Sequence, residues 1–495
     1  MKEEYILSVD QSTASTKAII FNEKAKIIDK KTISHQQYYP KSGWVEHDPV
    51  EIYDNTVKSI SSIINDNQSI KSKIKGLALT NQRETVVVWD KETGQPVYKA
   101  IVWQCQRGKN ICNNLKNKGY ESLIKEKTGL VLDPYFSASK VKWLLDNVDG
   151  LNKKAIEGKL LLGTIDSWLI WKLTGGKSHV TDFSNASRTP LYNINKLRWD
   201  QEILDIFSIP KSMMPEVNFS DKIFGYTDIE GLFPDNIPIA GIMGDSQAAL
   251  FGQNCYQKGM AKATYGTGSS VVLNTGNEVI QSNQGLVTSL GWGYKNKVQY
   301  ILEGNIHATG ATIKWLVDKA ELLDAPEKSA ELAFSLEDNE GVYFVPAFVG
   351  LGAPYWDNEA KASITGLTFS SGKAHLVRAA LEAIAYQIKD VLDLMIDESG
   401  IKLKELRADG GPSHNEFLMQ FQSDMLGVSI ETTAINEISA LGSTFMAGLA
   451  FGVWSDLEQI KSLRNVSDIY SPEMKIRERD KYYQGWLEAV DKVLE

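Results

Sequence analysis

Asp10-Gln11-Ser12-Thr13-Ala14-Ser15-Thr16 interrupts two apolar runs, Tyr5–Val9 and Ala18–Phe21, and Tyr265-Gly266-Thr267-Gly268-Ser269-Ser270 interrupts a similar pair in the second half of the chain. Each reads as strand, tight turn, strand. Small residues at such a turn let backbone N–H groups and hydroxyls close around a phosphate, which is how an anion nest works. One turn alone reads as well as an ordinary hairpin. Its repetition, with an acid leading the first copy, points to two lobes gripping one nucleotide.

Working outward from the first turn, Ile27–Ser34 continues a hairpin-built sheet edge, and Asp48-Pro49 opens a helix to about residue 65, with Ile52, Val57, Ile60 and Ile63 on one face. Strands are expected at Ile74–Thr80, Glu84–Trp89 and Val97–Trp103, then mostly helix. Around the second turn the order repeats. Ile237–Met243, Met260–Thr264, Ser270–Asn274 and Val298–Leu302 read as strands, followed by helices near Ala311–Leu322 and His375–Glu398. Leu406–Asp409 then runs into Gly410-Gly411 and a helix from Asn415, a strand–glycine–helix order that suits an anion or nucleotide. The expected division is a lobe over 1–250 and a lobe over 251–495, tightly joined, because no low-complexity linker lies between them.

At 495 residues the chain exceeds what one hydrophobic core supports. Its apolar stretches fall short of the roughly 18 residues that span a bilayer, and the start Met1-Lys2-Glu3-Glu4 lacks a signal-peptide pattern. A cytoplasmic protein is expected. The net charge of −9 argues against nucleic acid as a partner. Cys105, Cys112 and Cys255 are too few for a disulfide framework, and the six histidines show no metal-ligand spacing.

Several residues carry chemistry in this reading. Asp10 can hold Mg²⁺ on a bound phosphate chain or close an Asx turn. Asp245, between Gly244 and a helix over Ser246–Gln253, suits an N-cap or a general base toward a hydroxyl. In Asn81-Gln82-Arg83-Glu84-Thr85, Arg83 and Glu84 offer a donor and an acceptor for vicinal hydroxyls, or simply a solvated hairpin. Tyr135 adds a phenolic hydrogen bond and Trp103 an apolar wall.

With these residues in hand, the chain resembles the FGGY family of carbohydrate kinases. The resemblance runs from Tyr5 to Trp486 through Gly43-Trp44-Val45-Glu46-His47-Asp48-Pro49, Thr80-Asn81-Gln82-Arg83-Glu84-Thr85, Ala100-Ile101-Val102-Trp103-Gln104-Cys105, Asn185-Ala186-Ser187-Arg188-Thr189 and Phe348-Val349-Gly350-Leu351-Gly352-Ala353-Pro354-Tyr355-Trp356. Both family signatures fit, Tyr135-Phe136-Ser137-Ala138-Ser139-Lys140-Val141-Lys142-Trp143 and Ala362-Ser363-Ile364-Thr365-Gly366-Leu367 continuing to Glu382. It implies an α/β fold of two actin-like, ribonuclease-H-like lobes with ATP, Mg²⁺ and a small polyol in the cleft between them. The likeness is strongest to members that phosphorylate glycerol at a terminal hydroxyl, giving sn-glycerol 3-phosphate and ADP.

The resemblance assigns Arg83, Glu84, Trp103, Tyr135, Asp245 and Ser246 to the polyol, with Asp245 as base, and Asp10 to the metal. It assigns Thr13, Ala14, Ser15 and Lys17 to the first phosphate loop, Gly266 and Thr267 to the second, and Gly310, Lys314, Gly411 and Asn415 to the nucleotide. A homo-oligomer, dimer or tetramer, is implied as well. Against the usual glycerol-using pattern, Lys17 replaces an arginine, Ser246 a glutamine and Ser270 a phenylalanine. Those two serines make the pocket roomier and more polar, so a longer polyol or ketose of the erythritol, xylitol or xylulose type is the alternative acceptor.

Overall fold

The turn at Ser12–Ala14 joins strand Tyr5–Gln11 to strand Ser15–Asn22 in a computed structural model that describes residues 3–357 and 359–494. Ile27–Ser34 extends that meander outward. On its other side Ile74–Asn81 and Ile237–Gly244 pair in parallel, and Gly225–Thr227 closes the sheet at six strands. Asp48 begins the helix Pro49–Asp66 by accepting from Val50 N at 2.9 Å, a cap worth about 1 kcal/mol. The helix buries Ile52, Ile60, Ile63 and Ile64 against this sheet.

The second half builds the same order again. Met260–Tyr265, Ser269–Gly276 and Lys297–Ile306 form an antiparallel meander, and Glu405–Asp409 then Ile430–Thr433 add in parallel on its other side. Val287–Tyr294 and Val466–Tyr470 complete seven strands. Helix Lys373–Ser399 covers one face with Ala380, Ile384, Ile388 and Val391 in the largest core cluster.

Two helices weld the halves. Asp245–Gly252 leaves the first sheet, and Ile438–Phe451, which follows the second sheet's strand Ile430–Thr433, returns to pack beside it; Ile6, Ala78, Ala248, Leu441 and Phe445 share one core cluster. A Cβ at Gly442 would lie 1.8 Å from Ala248 O, so the two helix backbones touch directly.

Some local expectations change. Asn81–Thr85 is buried throughout, because Ile74–Asn81 and Val86–Asp90 belong to different sheets and the polar run crosses between them. Val97–Trp103 contributes only Ala100–Ile101 as strand, in a five-stranded sheet inserted in the first half. The helix from Gly310 stops at Asp318, where Lys319 N and Ala320 N converge on Trp315 O. Gly244, not Asp245, is the N-cap of the helix Asp245–Gly252.

Candidate active site

Three strands, Tyr5–Gln11, Ile74–Asn81 and Ile237–Gly244, run parallel with Asp10 beside Thr80 and Thr80 beside Met243. Asp10 and Asp245 therefore emerge at one carboxyl edge, the end at which open α/β sheets bind ligands. Asp245 is the first residue of its helix. Its carboxylate accepts from Ser246 N at 2.7 Å, stands 3.2 Å from Arg83 Nε and keeps 41% of its side chain exposed, while the groups behind it are sealed.

Those sealed groups form an ionic network. Arg83 grips Glu303 through two parallel bonds, Nη1 to Oε2 at 2.7 Å and Nη2 to Oε1 at 2.8 Å, the fork geometry that strengthens such pairs. Arg188 donates from Nε to Glu84 Oε1 at 2.6 Å, and its Nη1 lies 3.1 Å from Glu303 Oε2. Burial opposes ionisation of Glu303, but Arg188 and Arg83 outweigh it and hold the carboxyl below its usual range. Burial wins at Glu84, whose carboxyl is raised despite the same two arginines. Glu84 also sits at φ +61° with its carbonyl accepting from Ser137 Oγ at 2.8 Å, a strained conformation of the kind that persists where a site demands it.

Aromatic rings stand next to this network. Trp103 and Tyr135 meet edge to face at 5.4 Å, and Trp103 Nε1 donates to Thr13 Oγ1 at 3.0 Å, tying the wall to the first turn. Lys140 is fully buried and donates to three successive carbonyls, Pro134 (2.6 Å), Tyr135 and Phe136 (3.1 Å), which fixes the Tyr135 turn. Burial pushes its ammonium down to about 8. Ser246 Oγ and Ser270 Oγ face each other at 3.3 Å across the two halves of the chain.

The two hydroxyl-rich turns differ in construction. The first is braced by its own hydroxyls and by neighbours, with Ser12 N donating to Ser15 O at 2.9 Å and His35 N to Ala14 O at 3.2 Å. The second is docked on a helix start. Gly310 N donates to Gly266 O at 2.9 Å and Ala311 N to Thr267 O at 3.0 Å. A Cβ at Gly310 would meet Gly266 O at 2.5 Å, and one at Gly410, whose φ is +94°, would meet Tyr265 O at 2.0 Å. Around Gly411 there is open space. Asn415 is spent locally, its Oδ1 capping Leu418 N and its Nδ2 donating to Ser329 Oγ, both at 2.9 Å. Lys314 stands exposed on the next turn of the Gly310 helix, 3.9 Å from Asp318.

Asp10 is buried in a cluster of like charge. Burial pushes its carboxyl up to about 6, Lys17 opposes that at 3.7 Å, and Asp245 and Glu437 add to it. Lys17 is held 2.7 Å from Glu437, which also takes Lys30 at 2.7 Å. Among the described residues no group of three or more His, Cys, Asp or Glu side chains could cage a metal. An under-compensated carboxylate beside the two hydroxyl-rich turns fits Mg²⁺, which keeps most of its waters and takes only one or two protein carboxylates.

Residues 5–252 match the N-terminal domain and residues 261–451 the C-terminal domain of the FGGY family of carbohydrate kinases. The chain belongs to that family. It is 53% identical over 490 residues to glycerol kinase 1 of Thermotoga maritima and 52% over 491 residues to a glycerol kinase of Thermoanaerobacter sp., covering 99% of both chains in each case. The crystal structure of Plasmodium falciparum glycerol kinase with ADP superposes with a TM-score of 0.96 at 38% identity, covering 100% of this chain and 99% of that one. A gluconate kinase from Lactobacillus acidophilus, at 23% identity and TM-score 0.88, shares the fold. The two actin-like lobes that the family resemblance implies are thus those of an FGGY kinase. Among the described residues no helix is long and apolar enough to cross a membrane.

Five residues that pack into or beside this candidate site carry no local signal in the sequence. Arg188 stands in a quoted motif without a role, and Lys140 in a signature without one. Glu303 and Glu437 lie in unremarkable stretches, and nothing local signals that they meet Arg83 and Lys17. The fifth is Lys262, 1% exposed, whose ammonium donates to Thr264 Oγ1 at 2.8 Å. Burial lowers its proton affinity, and Asp409, Glu303 and Asp245 act in the other direction.

Proposed function

We propose that this FGGY kinase transfers the γ-phosphoryl group of ATP to a terminal hydroxyl of glycerol, giving sn-glycerol 3-phosphate and ADP. The observation that carries the reading is Asp245, an accessible carboxylate fixed by Arg83 at 3.2 Å against a buried ionic network. Full-length relatives named glycerol kinase, at 50 to 53% identity, supply the acceptor. Asp245 takes the hydroxyl proton, the oxygen attacks the γ-phosphorus, and the bond to the β–γ bridging oxygen breaks as ADP leaves. Arg83, paired with Glu303, holds Asp245 aimed into the cleft, and Arg83, Glu84 and Tyr135 hold the acceptor's hydroxyls against Trp103. The turns at Thr13–Ser15 and Gly266–Thr267, with Lys17, Gly310, Lys314 and Gly411, hold the nucleotide, and Asn415 caps the helix that follows Gly411. Mg²⁺ held by Asp10 would neutralise charge on the phosphates. Most of the acceleration in such transfers is positioning and charge neutralisation.

ADP release by the purified protein with glycerol, erythritol, xylitol and D-xylulose tests this reading. Turnover is expected to be best with glycerol. Good turnover of a longer acceptor beside none of glycerol overturns it and favours the second reading, which the short polar side chains of Ser246 and Ser270, facing each other at 3.3 Å, support. A homo-oligomer in the cytoplasm completes the proposal, and sedimentation of the purified chain tests the oligomer.

A further inference from the structure

Strands Tyr5–Gln11 and Ile74–Asn81 end level, with Gln11 paired to Asn81. One continues into the turn Ser12–Ala14, the other into Gln82, Arg83, Glu84 and Thr85, and Gln82 ties the two continuations together. Its backbone N donates to Gln11 O at 2.7 Å, and its side-chain Nε2 donates to Gln11 Oε1 at 3.0 Å and to Ser12 O at 3.3 Å. Its Oε1 accepts from Thr85 Oγ1 at 2.9 Å, a bond that closes the loop displaying Arg83 and Glu84. Thr85 Oγ1 in turn accepts from Trp103 N at 3.3 Å, and Trp103 Nε1 returns to the turn at Thr13 Oγ1, 3.0 Å away. The two hubs of this ring are sealed from water, Gln82 being 1% and Thr85 0% exposed.

The same ring decides which way the turn's amides face. Gln11 Nε2 joins Gln82 in holding Ser12 O, at 2.7 Å, and His35 Nε2 holds Thr13 O at 2.7 Å. A carbonyl only accepts, so the side chains are the donors in each of these bonds. Both peptides are trans, and in a planar trans peptide the C=O and the N–H of the next residue point in opposite directions. Thr13 N is therefore turned away from Gln82 and Ala14 N away from His35, and among the described residues neither donates to a backbone oxygen. Two successive amides turned outward beside short side chains make the concave donor pair that suits an anion.

We propose that Gln82 and Thr85 are positioning residues shared by both substrates: Gln82 holds the Ser12–Thr13 peptide so that Thr13 N meets a phosphate oxygen of the nucleotide, and Thr85 fixes the Gln82 amide and ties it to the acceptor wall at Trp103. The inference rests on the kinase reading, which takes the turn as a phosphate site and Trp103 as a wall for the acceptor. Both residues act through the groups they hold. Without the Thr85 hydroxyl the buried Gln82 oxygen loses its partner, and the side chain gains reason to turn, which releases Ser12 O and the amide behind it.

Isothermal titration of ADP with Mg²⁺ into the full chain tests the proposal without depending on turnover. Thr85→Val keeps the shape and loses the hydroxyl, and is expected to weaken ADP about threefold or more, the share of one hydrogen bond. Thr85→Ser keeps the hydroxyl and loses the methyl, and should stay within about twofold of wild type. Gln82→Met removes both side-chain bonds to the turn, for about tenfold. Trp103→Phe changes a partly buried side chain that no core depends on, and by losing the bond to Thr13 it should weaken ADP about twofold or more although it stands on the acceptor side. Wild-type affinity in Thr85→Val and Gln82→Met overturns the proposal, as does equal damage in Thr85→Ser and Thr85→Val, which would make packing of the methyl the cause. If neither Thr85→Val nor Gln82→Met folds, Trp103→Phe decides, and wild-type ADP affinity there overturns the shared frame. The kinase reading fails separately, by a wild-type chain that binds ADP yet releases none from ATP with any acceptor; a wild-type chain without ADP affinity overturns both.

Discussion

In the proposed reading, the acceptor side of the cleft and the nucleotide side solve the same problem, holding oxygen atoms still, with opposite materials. The acceptor side uses charged side chains taken out of water: Arg83, Arg188, Glu84 and Glu303 are all buried, and each cation touches a carboxylate. The nucleotide side uses backbone, with Gly266, Gly310 and Gly410 packed so closely that a methyl group would collide at Gly310 or Gly410. A small neutral acceptor offers only hydroxyls, which charged forks bind with strong directional bonds. A polyphosphate brings its own charge, for which backbone N–H groups and a helix start suffice. Lys17, beside the first turn, already stands against Asp10 and Glu437.

The sharpest break falls on the acceptor side. Asp245→Asn keeps an oxygen for Ser246 N but cannot accept a proton, so kcat is expected to fall about 10²- to 10⁴-fold, the usual share of a general base, with the KM for ATP nearly unchanged in steady-state kinetics. Wild-type turnover in the variant would remove Asp245 from the chemistry.

Glu303→Gln attacks the network that supports it. Two buried guanidiniums lose their shared carboxylate, and breaking a buried pair from one side costs about 3–5 kcal/mol. Chemical denaturation should show that loss, and the KM for glycerol should rise more than the KM for ATP. The corresponding change on the nucleotide side is Gly410→Ala, which forces Tyr265 O and the second turn apart. A shift of about 1 Å is worth roughly 10²-fold in rate, and here the KM for ATP should carry it, with glycerol affinity in a direct binding assay retained. If both variants damaged both substrates equally, the division between the two sides would not hold.

That division also explains what the chain's sequence makes legible. Backbone sites are written locally, because a glycine needed for close approach appears in a short run, as in Tyr265–Gly268 and Gly410-Gly411. The duplicated lobes follow from the same turns. The ionic network is not written locally: Arg83 and Glu84 are adjacent, but Arg188 and Glu303 join them only after the chain has crossed two sheets. Asn81–Thr85 was open to reading as a solvated hairpin for this reason, since a buried polar run and an exposed one look alike until the partners are placed. Lys140 and Lys262 were silent because a buried lysine reads like a surface one. Lys140→Met should loosen the Tyr135 turn and raise the KM for glycerol about tenfold or less, with kcat for saturating substrate retained. Equal losses in both constants would make Lys140 merely structural.

The smallest effect tests the metal, where the two sides meet. Asp10 has its carboxyl raised to about 6 by burial, with Asp245 and Glu437 adding to the shift. The folded protein therefore binds that proton more tightly than the unfolded chain does. Its contribution to stability is fully present below the unfolded value near 4 and is lost as pH rises through about 6. Mg²⁺ requires the opposite state, the free carboxylate, so metal affinity should be full above about pH 7 and fall by up to about tenfold per unit below pH 6. Titrating Mg²⁺ against melting temperature at pH 5, 6 and 7.5 separates the two. Without metal, Asp10 favours the lower pH; with metal and ATP, the added stabilisation should grow toward pH 7.5. Asp166, Glu382 and Asp390 are also raised, to about 7, 7 and 6, and give the metal-free slope the same sign. They lie outside the cluster around Asp10, so Asp10→Asn should leave most of that slope while abolishing the part that depends on Mg²⁺. A metal response in the Asn variant equal to wild type would place the ion elsewhere in the cleft.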